Sequence, residues 1–359
     1  MTDFEKNVKI EGFYDGKPCD DFLIHLEQYH PGIPGYSVKY NYYLTFKGER
    51  MAVKGCKIFA DLDDVFFKAT EIIVPDRVRQ TGKTVTVTVI HKDDERYKTT
   101  MQIKLRKYEM TFEDDFDTYN KDIWTPRHDG AKVPMAFTKV KENYVRDGNL
   151  CLDFEKNDTP TVRDGNECYY SDAGVITKGK FSQKYGCFTA KMKHPYTPKG
   201  TFTAFWLLPE DANFHDVYFF KRTDTGNEFH GCAEIDIMEI FHDPDTRGSS
   251  HTEHYWDPTW TRDDPITKSS LGEDYTIPGF QYGQYQEYSC VWNEYGLYYY
   301  VNGELAKANT NIEPVEDVKP AYILFTCYIG PKGSGATWGE VDDKDLPQTL
   351  YVDWVRVYK

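Results

Sequence analysis

The hydrophobic positions of this 359-residue chain recur with the period of a strand. Ser37-Val38-Lys39-Tyr40-Asn41-Tyr42-Tyr43-Leu44, Thr84-Val85-Thr86-Val87-Thr88-Val89-Ile90 and Thr99-Thr100-Met101-Gln102-Ile103-Lys104-Leu105 place apolar side chains at alternate positions. That pattern suits strands with one buried face. Further along, Leu297-Tyr298-Tyr299-Tyr300-Val301 and Glu304-Leu305-Ala306 flank Asn302-Gly303, a dipeptide that favours a two-residue hairpin turn. Asp147-Gly148-Asn149 is a second turn signal. No long helical periodicity interrupts these runs, so an all-β chain is predicted.

One strand-like segment carries an unusual load of charge. Glu234-Ile235-Asp236-Ile237-Met238-Glu239 holds three carboxylates in six residues, although strands are poor in Asp and Glu. In a plain strand Glu234 and Asp236 share one face and Glu239 falls on the other. A single β-bulge near Met238 inserts one residue and reverses the parity. Glu239 then joins the other two acids, while Ile235, Ile237 and Ile240 all point the opposite way. Without the bulge, Ile240 would sit among the acids. A row of like charges pushes pKa values apart, which acid–base catalysis uses. The chemistry that suits the row is glycoside hydrolysis, with one carboxylate as nucleophile and one carboxylic acid as proton donor. Retaining enzymes hold the two about 5–5.5 Å apart. The competing reading is a solvated strand face, against which Ala233 and Ile240-Phe241 read as buried flanks.

The segment resembles the E-[ILV]-D-x-x-E signature of glycoside hydrolase family 16, the family of laminarinases and lichenases. The resemblance runs in family order over residues 110–359. Phe112-Glu113-Asp114-Asp115-Phe116-Asp117 with Trp124 is similar to the family's opening. Gly174 to Phe181 and Tyr185 to Lys193 resemble paired strands that follow. Ala204-Phe205-Trp206-Leu207-Leu208-Pro209 resembles the Trp-bearing strand, and Val352-Asp353-Trp354-Val355-Arg356-Val357-Tyr358 the final strand. The resemblance implies a β-sandwich jelly roll with a glucan cleft across its concave sheet. It implies Glu234 as nucleophile, Glu239 as acid and base, and Asp236 as the group that tunes Glu234. Trp206 is implied as a sugar platform and His254 as a hydrogen-bonding group near the nucleophile. A structural Ca²⁺ held by Glu113, the Gly148 carbonyl and Asp353 is implied in the same way, and no cofactor is expected for catalysis.

Two polar stretches read as long connections, residues 210–231 and 242–275. The second contains His251, His254, Tyr255, Trp256 and Trp260. Trp256 and Trp260 are candidates for sugar stacking, with packing under the loop as the alternative. His251-Thr252-Glu253-His254 lacks the H-E-x-x-H spacing of a zinc site.

Composition separates the chain into two parts. Residues 1–107 contain no Trp, while all seven Trp lie at or after Trp124. They carry 18 Lys and Arg against 16 Asp and Glu, a net of +2, so the remainder carries −17 of the total −15. A smaller immunoglobulin-like β-sandwich over 1–107, acting as a spacer or stabilising module, is expected to precede a catalytic domain over 108–359. The net charge argues against nucleic-acid binding, and no apolar run reaches bilayer length. Eight cysteines are scattered without the close spacing of a metal site and read mostly as buried thiols. Asn157-Asp158-Thr159 fits the glycosylation sequon. No charged-then-apolar leader is visible. Polysaccharides lie outside most cells, so a secreted or cell-surface protein is expected, acting as a monomer on β-glucan polysaccharide with no nucleic-acid or membrane partner. The expected activity is endo-acting retaining hydrolysis of β-1,3- or mixed β-1,3/1,4-glucan. The alternatives are a galactan hydrolase of the agarase or carrageenase kind, and a non-catalytic glucan-binding protein.

Overall fold

The alternating segments form strands. Val38–Phe46, Thr84–Ile90 and Tyr97–Lys104 each bury every second side chain, and the Asn302-Gly303 pair closes the hairpin between Gly296–Val301 and Glu304–Asn309. Asn302 and Gly303 take φ of 50° and 81°, the left-handed pair that such a turn requires. The computed structural model describes residues 8–127, 136–138, 144–163, 165–196, 199–210, 232–241, 248–256, 268–310 and 319–359. Among these the only α-helix is the single turn Asp76–Arg79, and the fold is all-β.

The chain divides into two compact units. One takes in the chain up to Thr111 together with Val291–Tyr298 and Tyr358–Lys359. Its two five-stranded sheets share a core of Phe22, Ile24, Tyr42 and Leu44 from one sheet and Val85, Val87, Val89, Met101 and Ile103 from the other. The tip at Glu294 belongs here because the Arg106 guanidinium grips both Glu294 carboxylate oxygens.

The other unit, Phe112–Cys290 with Tyr299–Val357, is a jelly-roll sandwich of a seven-stranded and a ten-stranded sheet. In the seven-stranded sheet, Thr201–Pro209 lies between Ala321–Ile329 and the acid-bearing strand Cys232–Phe241. Gly248–Trp256 and then Lys268–Thr276 complete that side. Ile235, Ile237, Met238, Ile240, Phe205 and Phe325 are fully buried or nearly so. Strands buried on both faces read as continuous apolar runs, as Thr201–Pro209 and Ala321–Ile329 do.

Part of the connection expected over 242–275 is instead two strands, Gly248–Trp256 and Lys268–Thr276, paired in unbroken register from Gly248↔Thr276 to Trp256↔Lys268. The first hid because both its faces are polar. Ser249, His251 and Glu253 on its inner face are all buried. Their polarity is met from the facing sheet by Lys307 of Glu304–Asn309, whose Nζ donates to Glu253 Oε2 at 2.5 Å and to the His251 carbonyl at 3.0 Å. Most of the expected connection over 210–231 lies outside the described residues. The seven cysteines whose side chains are described, Cys19, Cys56, Cys151, Cys168, Cys187, Cys290 and Cys327, are free thiols.

Lys307 and Glu253 are both at least nine-tenths buried. Removing one member of such a pair strands the other's charge in the core. Lys307→Met is expected to destabilise the protein by ~3–5 kcal/mol, and the double variant Lys307→Met/Glu253→Leu to regain most of that loss. Urea unfolding of the three proteins checks this; a double variant as unstable as the single one would show that the charges are not what couples the two positions.

Candidate active site

The acid-bearing strand contains the extra residue that its apolar pattern demands. Against Thr201–Pro209 the register runs Ala204↔Glu239 and Phe205↔Met238, then shifts to Trp206↔Asp236 and Leu207↔Ile235. Against Gly248–Trp256 it runs Glu234↔His254 and Asp236↔Thr252, then shifts to Glu239↔Ser250. Ile237 is skipped on both sides. Paired residues share a face. Glu239 faces with Ala204 and Ser250, Asp236 with Trp206 and Thr252, and Glu234 with His254. Ala204 and Trp206 lie on one side of their strand, as do Ser250, Thr252 and His254 on theirs. All three carboxylates therefore project from the same face of the sheet.

Glu234 and Asp236 are 5% and 1% exposed, and Glu239 is half-buried. Carboxylates taken this far from water need partners. His254 Nε2 lies 3.3 Å from Asp236 Oδ2. One donor atom from each of Glu234, Asp236 and His254 falls within 4.8 Å of the others. His254 thus stands against the nucleophile candidate and its neighbour.

Trp206 occupies the same face beside Asp236, but its ring is 4% exposed. Its Nε1 donates to Thr326 Oγ1 at 3.0 Å, and the Arg127 guanidinium lies 4.9 Å from the ring centroid. Arg127, itself buried, also stands 5.8 Å from the Tyr328 ring. With Phe202, Tyr322, Leu324 and Tyr328, Trp206 forms an apolar cluster on the acid-bearing face. Arg127 carried no signal of its own in the sequence. It follows Trp124-Thr125-Pro126, and only the pairing of Thr125–Pro126 with Gly174–Ile176 brings it to the site. Trp256 ends the Gly248–Trp256 strand, while its side chain and all of Trp260 lie outside the described residues.

The expected calcium ligands sit on or beside strands that pair with one another. Met110–Asp114, which carries Glu113, and Asn149–Arg163, which follows the Gly148 turn, both pair with Gln348–Tyr358, which carries Asp353. Asp353 Oδ2 accepts from Lys191 Nζ at 2.7 Å, so an ammonium already balances this carboxylate. A calcium ion there would compete with Lys191.

Beneath the acids lies a residue that the sequence offered only as a metal-ligand candidate, set aside for its spacing. His251 is fully buried. Its Nδ1 is 2.7 Å from the Ile237 carbonyl and its Nε2 3.1 Å from Ser249 Oγ. A carbonyl only accepts, so Nδ1 carries the proton, and neutral Nε2 accepts from the Ser249 hydroxyl. Burial holds the His251 pKa down to about 4, with the Lys307 charge adding to that and the Ile237 carbonyl opposing it.

Glycosyl hydrolases family 16 matches the chain over residues 131–356, more than half its length, and the chain belongs to that family. It is 28% identical over 257 residues to a glucan endo-1,3-beta-glucosidase A1 of Niallia circulans, covering 67% of this chain and 34% of that protein. It is 26% identical over 259 residues to a keratan-sulfate endo-1,4-beta-galactosidase of Sphingobacterium multivorum, covering 70% and 55%. A beta-glucanase of Rhodothermus marinus is 27% identical over 243 residues, covering 64% and 75%. The chain thus spans about a third and about a half of the length of the first two of these relatives. Its fold is similar to the catalytic domain of an endo-1,3-beta-glucanase (laminarinase) from Thermotoga petrophila RKU-1, with a TM-score of 0.55, 24% identity, and coverage of 70% of this chain and 98% of that one.

The pKa of His251 makes a prediction about stability. The folded protein keeps the ring neutral down to about pH 4, whereas an unfolded histidine protonates near its ordinary value of 6.5. The unfolded chain therefore binds the extra proton between those limits. The stability tied to the neutral ring is intact above pH 6.5 and is lost as pH falls towards 4, a span worth about 3 kcal/mol. His251→Asn keeps a donor for Ile237 and does not titrate. Urea unfolding at pH 7, 5.5 and 4.5 is expected to show a flatter pH dependence for that variant than for wild type; identical slopes would mean that His251 does not titrate as its burial requires.

Proposed function

We propose that this protein is an endo-acting, retaining hydrolase of β-1,3- or mixed-linkage β-1,3/1,4-glucan. The observation that carries the reading is the register shift at Ile237. It sets Glu239 on the face of Glu234 and Asp236, as a pair of carboxylates flanking one scissile bond must be set. Membership of the family and similarity to proteins described as a glucan endo-1,3-beta-glucosidase and a beta-glucanase support the substrate class.

In this reading Glu234 attacks the anomeric carbon while Glu239 gives its proton to the departing glycosidic oxygen, and a glycosyl-enzyme ester forms. Glu239, now a carboxylate, takes a proton from water. The water oxygen attacks the same carbon and releases Glu234. Asp236, with His254 at its side, holds Glu234 in the state that the attack needs. Trp206 is the sugar platform in this reading, backed by Arg127. A structural calcium ion at Glu113, the Gly148 carbonyl and Asp353 would support the fold from outside the reaction. The protein acts as a monomer outside the cell, where such polymers lie, and the N-terminal unit serves as a spacer or stabilising module. A galactan substrate is the second reading, favoured by the similarity to a keratan-sulfate endo-1,4-beta-galactosidase.

Glu234→Ala is expected to abolish turnover, with a loss of at least ~10³-fold, and to leave the circular dichroism spectrum and unfolding midpoint near wild type. Turnover close to wild type would remove Glu234 from the role of nucleophile. Glu239→Ala is expected to lose ~10²–10⁴-fold in kcat/KM on polymer yet to keep most of its kcat/KM on a dinitrophenyl glycoside, whose leaving group needs no proton in the step that forms the glycosyl-enzyme. Equal losses on both substrates would remove Glu239 as the acid. Reducing-end release and product sizing on laminarin, barley mixed-linkage glucan, agarose, κ-carrageenan and carboxymethyl cellulose then test the substrate class. Products from the galactans alone would favour the second reading. No products from any of the five would favour a non-catalytic binding protein.

A further inference from the structure

The bulge at Ile237 is what aims Glu239, and a bulge is a soft element unless something fixes it. The inserted residue drops out of the regular ladder, and a buried carbonyl left without a donor costs roughly 1–3 kcal/mol. Ile237 is fully buried and is skipped by the register on both sides. Its carbonyl accepts from His251 Nδ1 at 2.7 Å.

His251 is itself held from several directions. The Ile237 carbonyl, which only accepts, fixes the proton on Nδ1, and Ser249 Oγ, 3.1 Å from Nε2, donates to the other ring nitrogen. The Tyr299 ring lies 5.4 Å away, centroid to centroid. The backbone is seated from the facing sheet, where Lys307 Nζ donates to the His251 carbonyl at 3.0 Å while pairing with Glu253. A continuous path of short contacts therefore runs from Lys307 through the backbone and ring of His251 to the Ile237 carbonyl, two residues before Glu239. Burying an imidazole this completely carries a desolvation cost. An apolar side chain would fill the same space at lower cost but would leave the bulge carbonyl without its donor.

We infer that His251 is a positioning residue, which clamps the Ile237 bulge and thereby sets the Glu239 carboxyl against the scissile bond. The inference rests on the proposed role of Glu239 as acid and base. It touches neither Glu234 nor the sugar, so its loss falls on proton transfer and spares nucleophilic attack.

The experiment compares His251→Leu, His251→Asn, His251→Gln and Glu239→Ala on two substrates: the polymer that the wild type cleaves, and a 2,4-dinitrophenyl glycoside of the matching oligosaccharide. Displacing a reacting group by about 1 Å costs ~10²-fold. His251→Leu is therefore expected to lose ~10²-fold in kcat/KM on polymer and less than about threefold in kcat/KM on the dinitrophenyl glycoside, the constant that reports the step in which only the polymer needs the acid. His251→Asn puts an amide donor where Nδ1 was and is expected to restore the polymer rate to within a few-fold of wild type. His251→Gln puts its amide at the Nε2 end and is expected to behave like His251→Leu. If His251→Leu does not fold, the Asn and Gln variants carry the comparison alone. Equal losses on both substrates, a wild-type ratio in the Leu and Gln variants, or no difference between Asn and Gln would each overturn the positioning role. The Glu239→Ala control separates the two failures. If it shows no split between substrates, the reading of Glu239 falls and takes the inference with it. If it shows the split and the His251 variants do not, only the inference falls.

Discussion

One extra residue in one strand governs the site. The strand period of two is an unforgiving constraint, since moving by a single position transfers a side chain from one face of a sheet to the other. Cys232–Phe241 has to serve a buried core on one face and a row of acids on the other. It satisfies both only because its register slips by one between Asp236 and Glu239. Ile235, Met238 and Ile240 then reach the core, and Glu234, Asp236 and Glu239 reach the opposite face. The neighbours conform to that slip. Thr201–Pro209 contributes Ala204 and Trp206 beside the acids, the smaller one next to Glu239. Gly248–Trp256 contributes Ser250, Thr252 and His254, and His254 stands 3.3 Å from Asp236.

The strand Gly248–Trp256 works on two levels. Its outer residues face the acids, and its inner residues His251 and Glu253 make a polar layer between the sheets. Sandwich interiors are usually apolar, and an ion pair with a buried imidazole there is weak support for stability taken alone. Its value is geometric. Apolar attraction is non-directional, whereas Lys307 has to find the Glu253 carboxylate and the His251 carbonyl together. Such a contact has one register, and it passes that register to the strand that bears the acids.

The all-β fold and the carboxylate row were legible in the sequence because both follow from local periodicity. The bulge was legible too, since Ile235, Ile237 and Ile240 cannot all be buried without it. The hairpin at Asn302-Gly303 declared itself through turn chemistry. The two strands within 242–275 were not legible. A strand is recognised by contrast between its faces, and Ser249, His251 and Glu253 remove that contrast from Gly248–Trp256. Arg127 and Lys307 were hidden for a different reason. Each acts on residues far away in sequence, Arg127 on Trp206 and Lys307 on His251 and Glu253, and no local pattern announces a partner so distant. Trp206 was expected on the acid-bearing face and lies there, but the guanidinium over its ring could not be foreseen from its own strand.

The buried pair of Lys307 and Glu253 also has a thermal consequence. The hydration that a charged group gives up on burial becomes less favourable as temperature rises, so the penalty for burying an ion pair shrinks on heating while apolar burial gains little more per unit area. Most of this sandwich is held by apolar contact. The layer beneath the acids is the part whose relative strength grows with heat. On warming, the sheets are expected to loosen first at their apolar margins and last around His251, which keeps the row of carboxylates aligned closest to the point of unfolding.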